Sequence, residues 1–152
     1  MSGKSTNRKK ISLNSKRVVR EQGDSTDGEK VIWRFDMIDR GGKFAFDLDR
    51  ADFPCCEIMK KMIDYCNMTW AEVKKQTHDD GKSKHHLIST EMLSKDAMDR
   101  FKARNLDEYG DSIFSFALQN KLRIIGMREG GHFHVLWYDP NHEVCPSKKK
   151  HT

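Results

Sequence analysis

The chain has 152 residues, 36% of them hydrophobic and 34% charged, with a formal net charge of +5 and a pI near 9.0. These values describe a soluble chain with a modest core, most simply one domain with flexible ends. No apolar run reaches the roughly 20 residues of a membrane span and the N-terminus lacks a signal peptide's apolar segment, so a cytoplasmic protein is expected.

The basic balance is unevenly spread. Residues 1–20 hold seven Lys and Arg and no acid, and Lys148, Lys149 and Lys150 add to the other end. The body between the tails is net acidic, so any nucleic-acid interaction there has to come from local clustering. Residues 1–28 are too polar to bury a useful apolar surface and read as a disordered basic arm, either a solvated tail or a phosphate-seeking one. Residues 29–145 read as a single α+β domain and 146–152 as a basic C-terminal tail.

Val31–Asp39 and Lys43–Leu48 alternate apolar and polar residues around Arg40-Gly41-Gly42, the pattern of a β-hairpin. Asp52-Phe53-Pro54 then predicts a helix start, with Asp52 as cap, and Ile58, Met59, Met62, Ile63, Tyr65 and Cys66 recur at helical spacing until Asn67. Thr69-Trp70-Ala71-Glu72 is a capping-box sequence opening a short second helix. Ser94 caps a third, with Ala97, Met98 and Phe101 inward. The four cysteines form no CxxC pair, and two are adjacent, so free thiols are expected rather than a zinc ribbon or a disulfide framework.

The last third reads as a three-stranded antiparallel meander. Ile113–Leu118, Leu122–Met127 and His132–Tyr138 are separated by Gln119-Asn120-Lys121 and by Arg128-Glu129-Gly130-Gly131, whose glycines supply the positive φ of a tight turn. The fold expected is therefore α+β: an N-terminal β-hairpin, a three-helix insertion and the meander in one sheet, with helices on one face. Simple alternation puts Phe133, Val135 and Trp137 in the core and His132, His134 and Tyr138 on the opposite, polar face.

Two stretches carry groups suited to chemistry. The first, from His78 to His86, is dense in Lys and His around Gly81; it reads either as a solvated loop or as one whose Lys82 and Lys84 hold phosphates while a neighbouring imidazole moves a proton. The second is the end of the meander. Metal-free RNA cleavage needs a base for the ribose 2′-hydroxyl, cations for the phosphate and an acid for the leaving oxygen. Arg123 can hold the phosphate, and His134, Tyr138 and His142 can divide the proton transfers, with His85 from the loop. Lys82, Lys84, His86, Lys121, Arg128 and His132 complete an expected RNA-binding set. His132 and His134, with His142 or with His85 and His86, also make a set of metal-ligating type, but no carboxylate shares their strand face. No metal or other cofactor is expected.

The run Lys-Leu-Arg-Ile-Ile-Gly-Met-Arg, a two-glycine turn and Phe-His-Val-Leu-Trp-Tyr-Asp-Pro-Asn-His-Glu is similar to the closing meander of the RelE/YoeB-type messenger-RNA interferase toxins of bacterial toxin–antitoxin systems. The resemblance covers residues 78–145. It implies a metal-independent endoribonuclease acting on free or ribosome-bound RNA, with a small antitoxin protein as partner. It would place Lys82 and Lys84 as the basic residues before the sheet, Arg123 as the strand arginine and His142 as the terminal catalytic residue. The N-terminal hairpin, the extra helix, the basic arm and the acidic body depart from that pattern. The alternative is a non-catalytic module binding RNA or a protein through the same sheet face and the arms.

Overall fold

A computed structural model describes residues 26–146. Most of the expected arm and tail lies outside those residues. Thr26 to Gly28, assigned above to the arm, belong to the fold, because Asp27 accepts hydrogen bonds from Lys74 at 2.9 Å and Arg128 at 2.7 Å.

The described chain is α+β with one five-stranded mixed sheet. In chain order the elements are β1 (Ile32–Arg34), α1 (Cys55–Cys66), α2 (Trp70–Lys75), β2 (His86–Ser89), α3 (Lys95–Ala103), β3 (Ser112–Ala117), β4 (Arg123–Glu129) and β5 (His132–Asp139), with short 3₁₀ turns at Thr90–Met92 and Leu106–Glu108. The spatial order is β1-β5-β4-β3-β2; β1 runs parallel to β5 and every other pair is antiparallel. Among the described residues no helix is long and apolar enough to cross a membrane.

The helices and the meander follow the sequence signals. Thr69 and Glu72 close the expected capping box, and Ser94 accepts from the Ala97 amide. Asp52, expected to cap α1, instead pairs with Arg50 at 2.8 Å, and α1 begins after Pro54 with no side-chain cap. All four cysteines are free thiols.

Three expectations are corrected. The first is the N-terminal hairpin. Only Ile32–Arg34 forms a strand, and its partner is β5. Residues 39–46 cross the rest of the β5 edge irregularly: the Asp39 amide donates to the Leu136 carbonyl, Tyr138 donates to the Phe44 carbonyl, and Ala45 bridges Trp137. The open edge of β5 takes backbone bonds that a hairpin would have used, and of the expected pairing the Phe46 amide still donates to the Asp39 carbonyl at 2.8 Å.

The second correction concerns the layers. Ile58, Met62, Tyr65, Trp70 and Val73 of α1 and α2 pack with Phe114, Phe116, Ile124 and Phe133, whereas Ala97 and Phe101 of α3 pack with Ile113, Ile125 and Trp137. Alternate residues of one strand go to different clusters, so the helices cover both faces. This two-sided burial explains why β3 and β4 read as nearly unbroken apolar runs.

The third correction follows from a β-bulge. Ile125 pairs with Trp137 but Gly126 pairs with Val135, leaving Leu136 as an extra residue in β5. Gly126 permits it: a Cβ there would lie 2.1 Å from the His134 carbonyl oxygen. The bulge reverses the alternation, so Trp137 joins the α3 face with His132 and His134, while Tyr138 joins Phe133 and Val135 against α1. Trp137 is core as expected, on the other side of the sheet, with its indole N–H on buried Asp39 at 3.0 Å.

Candidate functional site

On the α3 face, the far end of the sheet changes character. Beyond Ile113, Ile125 and Trp137, the next positions are Ser115 and Ala117 on β3, Arg123 on β4 and Asp139 on β5, with His86 on β2 opposite Ser115. Directly paired residues share a face, so these side chains stand together, with small buried residues in the middle strand and larger polar ones on either side. The loop after β5 brings His142 over the same end.

Arg123 is the centre of the group. Its Nη1 donates to the carbonyls of Asn120 at 2.8 Å and Leu122 at 2.9 Å, a tether made possible by Asn120 at φ 51° in the β3–β4 turn. Its Nε and Nη2 donate to nothing among the described residues, and no carboxylate there lies within ion-pair distance. The guanidinium is half-buried, and burial pulls its pKa down against the more distant charge of Asp139. A half-buried cation with an unused two-nitrogen edge is a ready acceptor of a phosphate or carboxylate.

His86 and His142 flank it. Burial lowers the pKa of His142, and the charges of Arg123, His86 and Lys121 lower it further, against Asp139. Burial and Arg123 likewise lower that of His86, whose side chain is the more exposed of the two. Burial first, and the charge of Arg123 next, therefore hold both imidazoles toward the neutral form. Asp139 itself is 1% exposed, and its two oxygens accept the amides of Glu143 and Val144, each at 2.9 Å. Burial raises its pKa in spite of those bonds.

The other expected residues divide sharply. His85 is buried and both ring nitrogens are engaged: the Ala117 amide donates to Nδ1 at 3.0 Å, which leaves the proton on Nε2 to face Oε1 of Gln76 at 2.8 Å. Burial drives its pKa down to about 3, so it stays neutral. Tyr65 donates to the Ala117 carbonyl at 2.6 Å, and the two side chains together close the β3 backbone where β2 has peeled away. His85 is a clasp for the sheet edge rather than a proton carrier.

Tyr138 is fully buried, donates its hydroxyl to the Asp52 carbonyl and packs its ring on Phe53 at 4.7 Å. The bulge places it on the opposite face from Arg123, which removes it from the expected catalytic set. His132 and His134 share the face of Arg123 but sit by the Gly130-Gly131 turn; His134 is roughly 17 Å along the strand from Asp139 at ~3.4 Å per residue. Its neighbours are Asp36, 3.5 Å from Nδ1, and Glu129, 3.9 Å from Nε2. Arg128 lies on the other face, stacked 4.2 Å over Trp70, donating to Asp27 and to the Gly130 carbonyl. Lys121 is exposed beside His142. Lys84 and His78 border the group through His85 and His86, and Lys82 projects from the exposed turn closed by the Gly81 to His78 bond.

The structure thus gathers His86, Arg123 and His142 with Lys121, leaves Lys84 beside the buried His85, and separates His132, His134, Tyr138 and Arg128 from them. Sequence reasoning missed the part played by Asp139, which ends β5 opposite Arg123 instead of following the strand. The Asp-Pro-Asn-His sequence carried the signal, since an Asp side chain commonly accepts amides of the turn that follows it. Among the described residues no group of three His, Cys, Asp or Glu side chains is arranged to hold a metal ion. No family model, curated protein or solved structure matches the chain.

Proposed function

We propose that the chain is an endoribonuclease of the messenger-RNA interferase type, working through His86, Arg123 and His142. The observation that carries the reading is the half-buried Arg123 guanidinium, tethered by one nitrogen only and flanked by two imidazoles. That set supplies each group the reaction needs. Arg123 holds the scissile phosphate through its free edge. His86, the more exposed imidazole, takes the proton of the ribose 2′-hydroxyl. The 2′-oxygen bonds to the adjacent phosphorus, the bond from phosphorus to the 5′-oxygen breaks, and protonated His142 gives its proton to that oxygen. The products are a 2′,3′-cyclic phosphate and a 5′-hydroxyl end. Asp139, near His142, partly offsets the lowering of its pKa by burial and by Arg123, and so opposes loss of the proton that the acid role needs. Lys121 borders the site and extends its positive charge along the RNA backbone.

The test is incubation of the full chain with single-stranded RNA and with translating ribosomes, with and without chelator. Cleavage to cyclic-phosphate ends, indifferent to chelator and lost in His142→Gln with RNA affinity kept, is the expected result. Cleavage that stops on adding chelator would overturn the metal-independent mechanism. Binding without cleavage under every condition would replace the enzyme by a non-catalytic RNA-binding module built on the same arginine. A small acidic protein encoded beside this chain would be the antitoxin that the toxin reading calls for.

A further inference from the structure

The turn that carries His142 is fastened more heavily than a surface turn requires. Pro140 fixes one backbone angle. The Val144 side chain is fully buried in the α3-side core, and its carbonyl accepts the Ser94 amide at 2.8 Å. Glu143 pairs with Lys43 at 2.9 Å. In the middle, His142 has φ 58°, the left-handed region that a β-carbon disfavours. A non-glycine residue stays there only when its surroundings hold it, and such residues concentrate at functional sites.

We propose that Asp139 is the positioning residue of this site, its buried carboxylate clamping the Glu143 and Val144 amides so that the left-handed His142 is held beside Arg123. The proposal rests on the reading of His142 as a proton-transfer group. A strand end on the surface is usually closed without a buried charge, because burying a carboxylate is costly. Here the carboxylate is 1% exposed and has no cation within ion-pair distance among the described residues; both of its oxygens are spent on the two amides that follow His142. The clamp therefore acts on the backbone immediately after the imidazole. It also sets the charge around it. The charged and titratable groups facing His142 are Arg123 from β4, Lys121 from the turn before it, His86 from β2 and Asp139 from the end of β5. Asp139 is the one acid of these, and it offsets the cations.

The experiment follows the His142 imidazole by NMR through a pH titration of the full-length protein, with the signal assigned by its loss in His142→Asn. Asp139→Asn removes the acid that opposes Arg123, Lys121 and His86, so the His142 midpoint should fall by about 1 unit. An unmoved midpoint would overturn the proposal, since a merely structural Asp139 would leave it in place. His142→Asn and His142→Gly should melt no lower than the parent, because both residues accept the left-handed region more readily than His. A clearly lower melting temperature in both would make His142 a keystone of the turn and also overturn the proposal. Should Asp139→Asn fail to fold, the parent protein still decides. The Glu143 and Val144 amides should exchange slowly and shift in step with Asp139 titration, and exchange at the rate of open turn amides would rule the clamp out. None of these measurements uses RNA, so a protein that cleaves nothing would sink the nuclease reading and leave this one to stand or fall by the His142 signal.

Discussion

Arg123 and Arg128 lie on one strand five residues apart, yet the two ends of β4 use them in opposite ways. Arg128, with its side chain 9% exposed, stacks on Trp70 and donates to Asp27, Thr26 and the Gly130 carbonyl. It ties the start of the described chain to the β4–β5 turn. Arg123 spends one nitrogen on its own turn and keeps the rest of its donor edge open. The histidines divide along the same line. His134 stands between Asp36 and Glu129, whereas His86 and His142 face an arginine with no carboxylate within ion-pair distance among the described residues. Residue type is thus a poor guide to role in this chain. Which groups already have partners is the better one.

The comparison breaks most easily at the histidines, where the largest effect is expected. His142→Gln should lower the rate of RNA cleavage by about 10²- to 10⁴-fold, the usual share of one acid–base group, with circular dichroism and RNA affinity unchanged. His134→Gln should stay within a few fold of the parent. Equal losses in the two variants would mean that the ends of the sheet had been assigned to the wrong roles.

Much of this arrangement could be read from the residues, and what could not has a common cause. The helices announce themselves through local chemistry, as Thr69 with Glu72 and Ser94 with Ala97 show, and the meander through the Gly130-Gly131 turn. Local patterns carry these because their partners are three or four residues away. The faces of β5 depended instead on one extra residue, Leu136, which exists only relative to Gly126 on the neighbouring strand. Alternation continued through that point sends Trp137 and Tyr138 to the wrong faces. The adjacent pair His85 and His86 has the same origin: one ring turns inward and one outward, and the backbone between them is fixed by contacts with β3 and α1. Likewise β1 shows a hairpin pattern but finds its partner in the last strand of the domain.

The arginines give the next test, smaller in size and opposite in sign for two readouts. Arg128→Ala removes charge-assisted bonds and a stacked ring contact at a buried position, and should cost about 2–4 kcal/mol in chemical unfolding while leaving RNA affinity intact. Arg123→Ala should cost under about 1 kcal/mol of stability, because among the described residues its guanidinium makes no close ion pair and bonds only two carbonyls of its own turn. It should instead weaken RNA binding and abolish cleavage, and it should flatten the dependence of binding on salt by about one counterion. A large stability loss at Arg123 with unchanged RNA affinity would make both arginines structural.

The smallest effect, and the most diagnostic of the charge arrangement, is on pH dependence. Cleavage requires one imidazole neutral and the other protonated, so kcat/KM is greatest between their two pKa values. Both His86 and His142 are lowered from the ordinary 6.5, by burial first and by Arg123 next, so the optimum should lie on the acid side of about 6.5. Replacing Arg123 by Gln, if enough activity survives to measure, should move the optimum up, because the charge that depresses both imidazoles is gone. Stability should move the other way over the same range. His85 titrates near 6.5 in the unfolded chain and at about 3 in the folded one. Its contribution is complete above the unfolded value and is lost progressively as pH falls toward the folded value, since only the unfolded chain takes up the proton in between. Melting temperature should therefore begin to fall below about pH 6.5 while activity is still rising. An optimum above neutrality would show that the imidazoles doing the chemistry are not the pair that burial and Arg123 hold toward the neutral form.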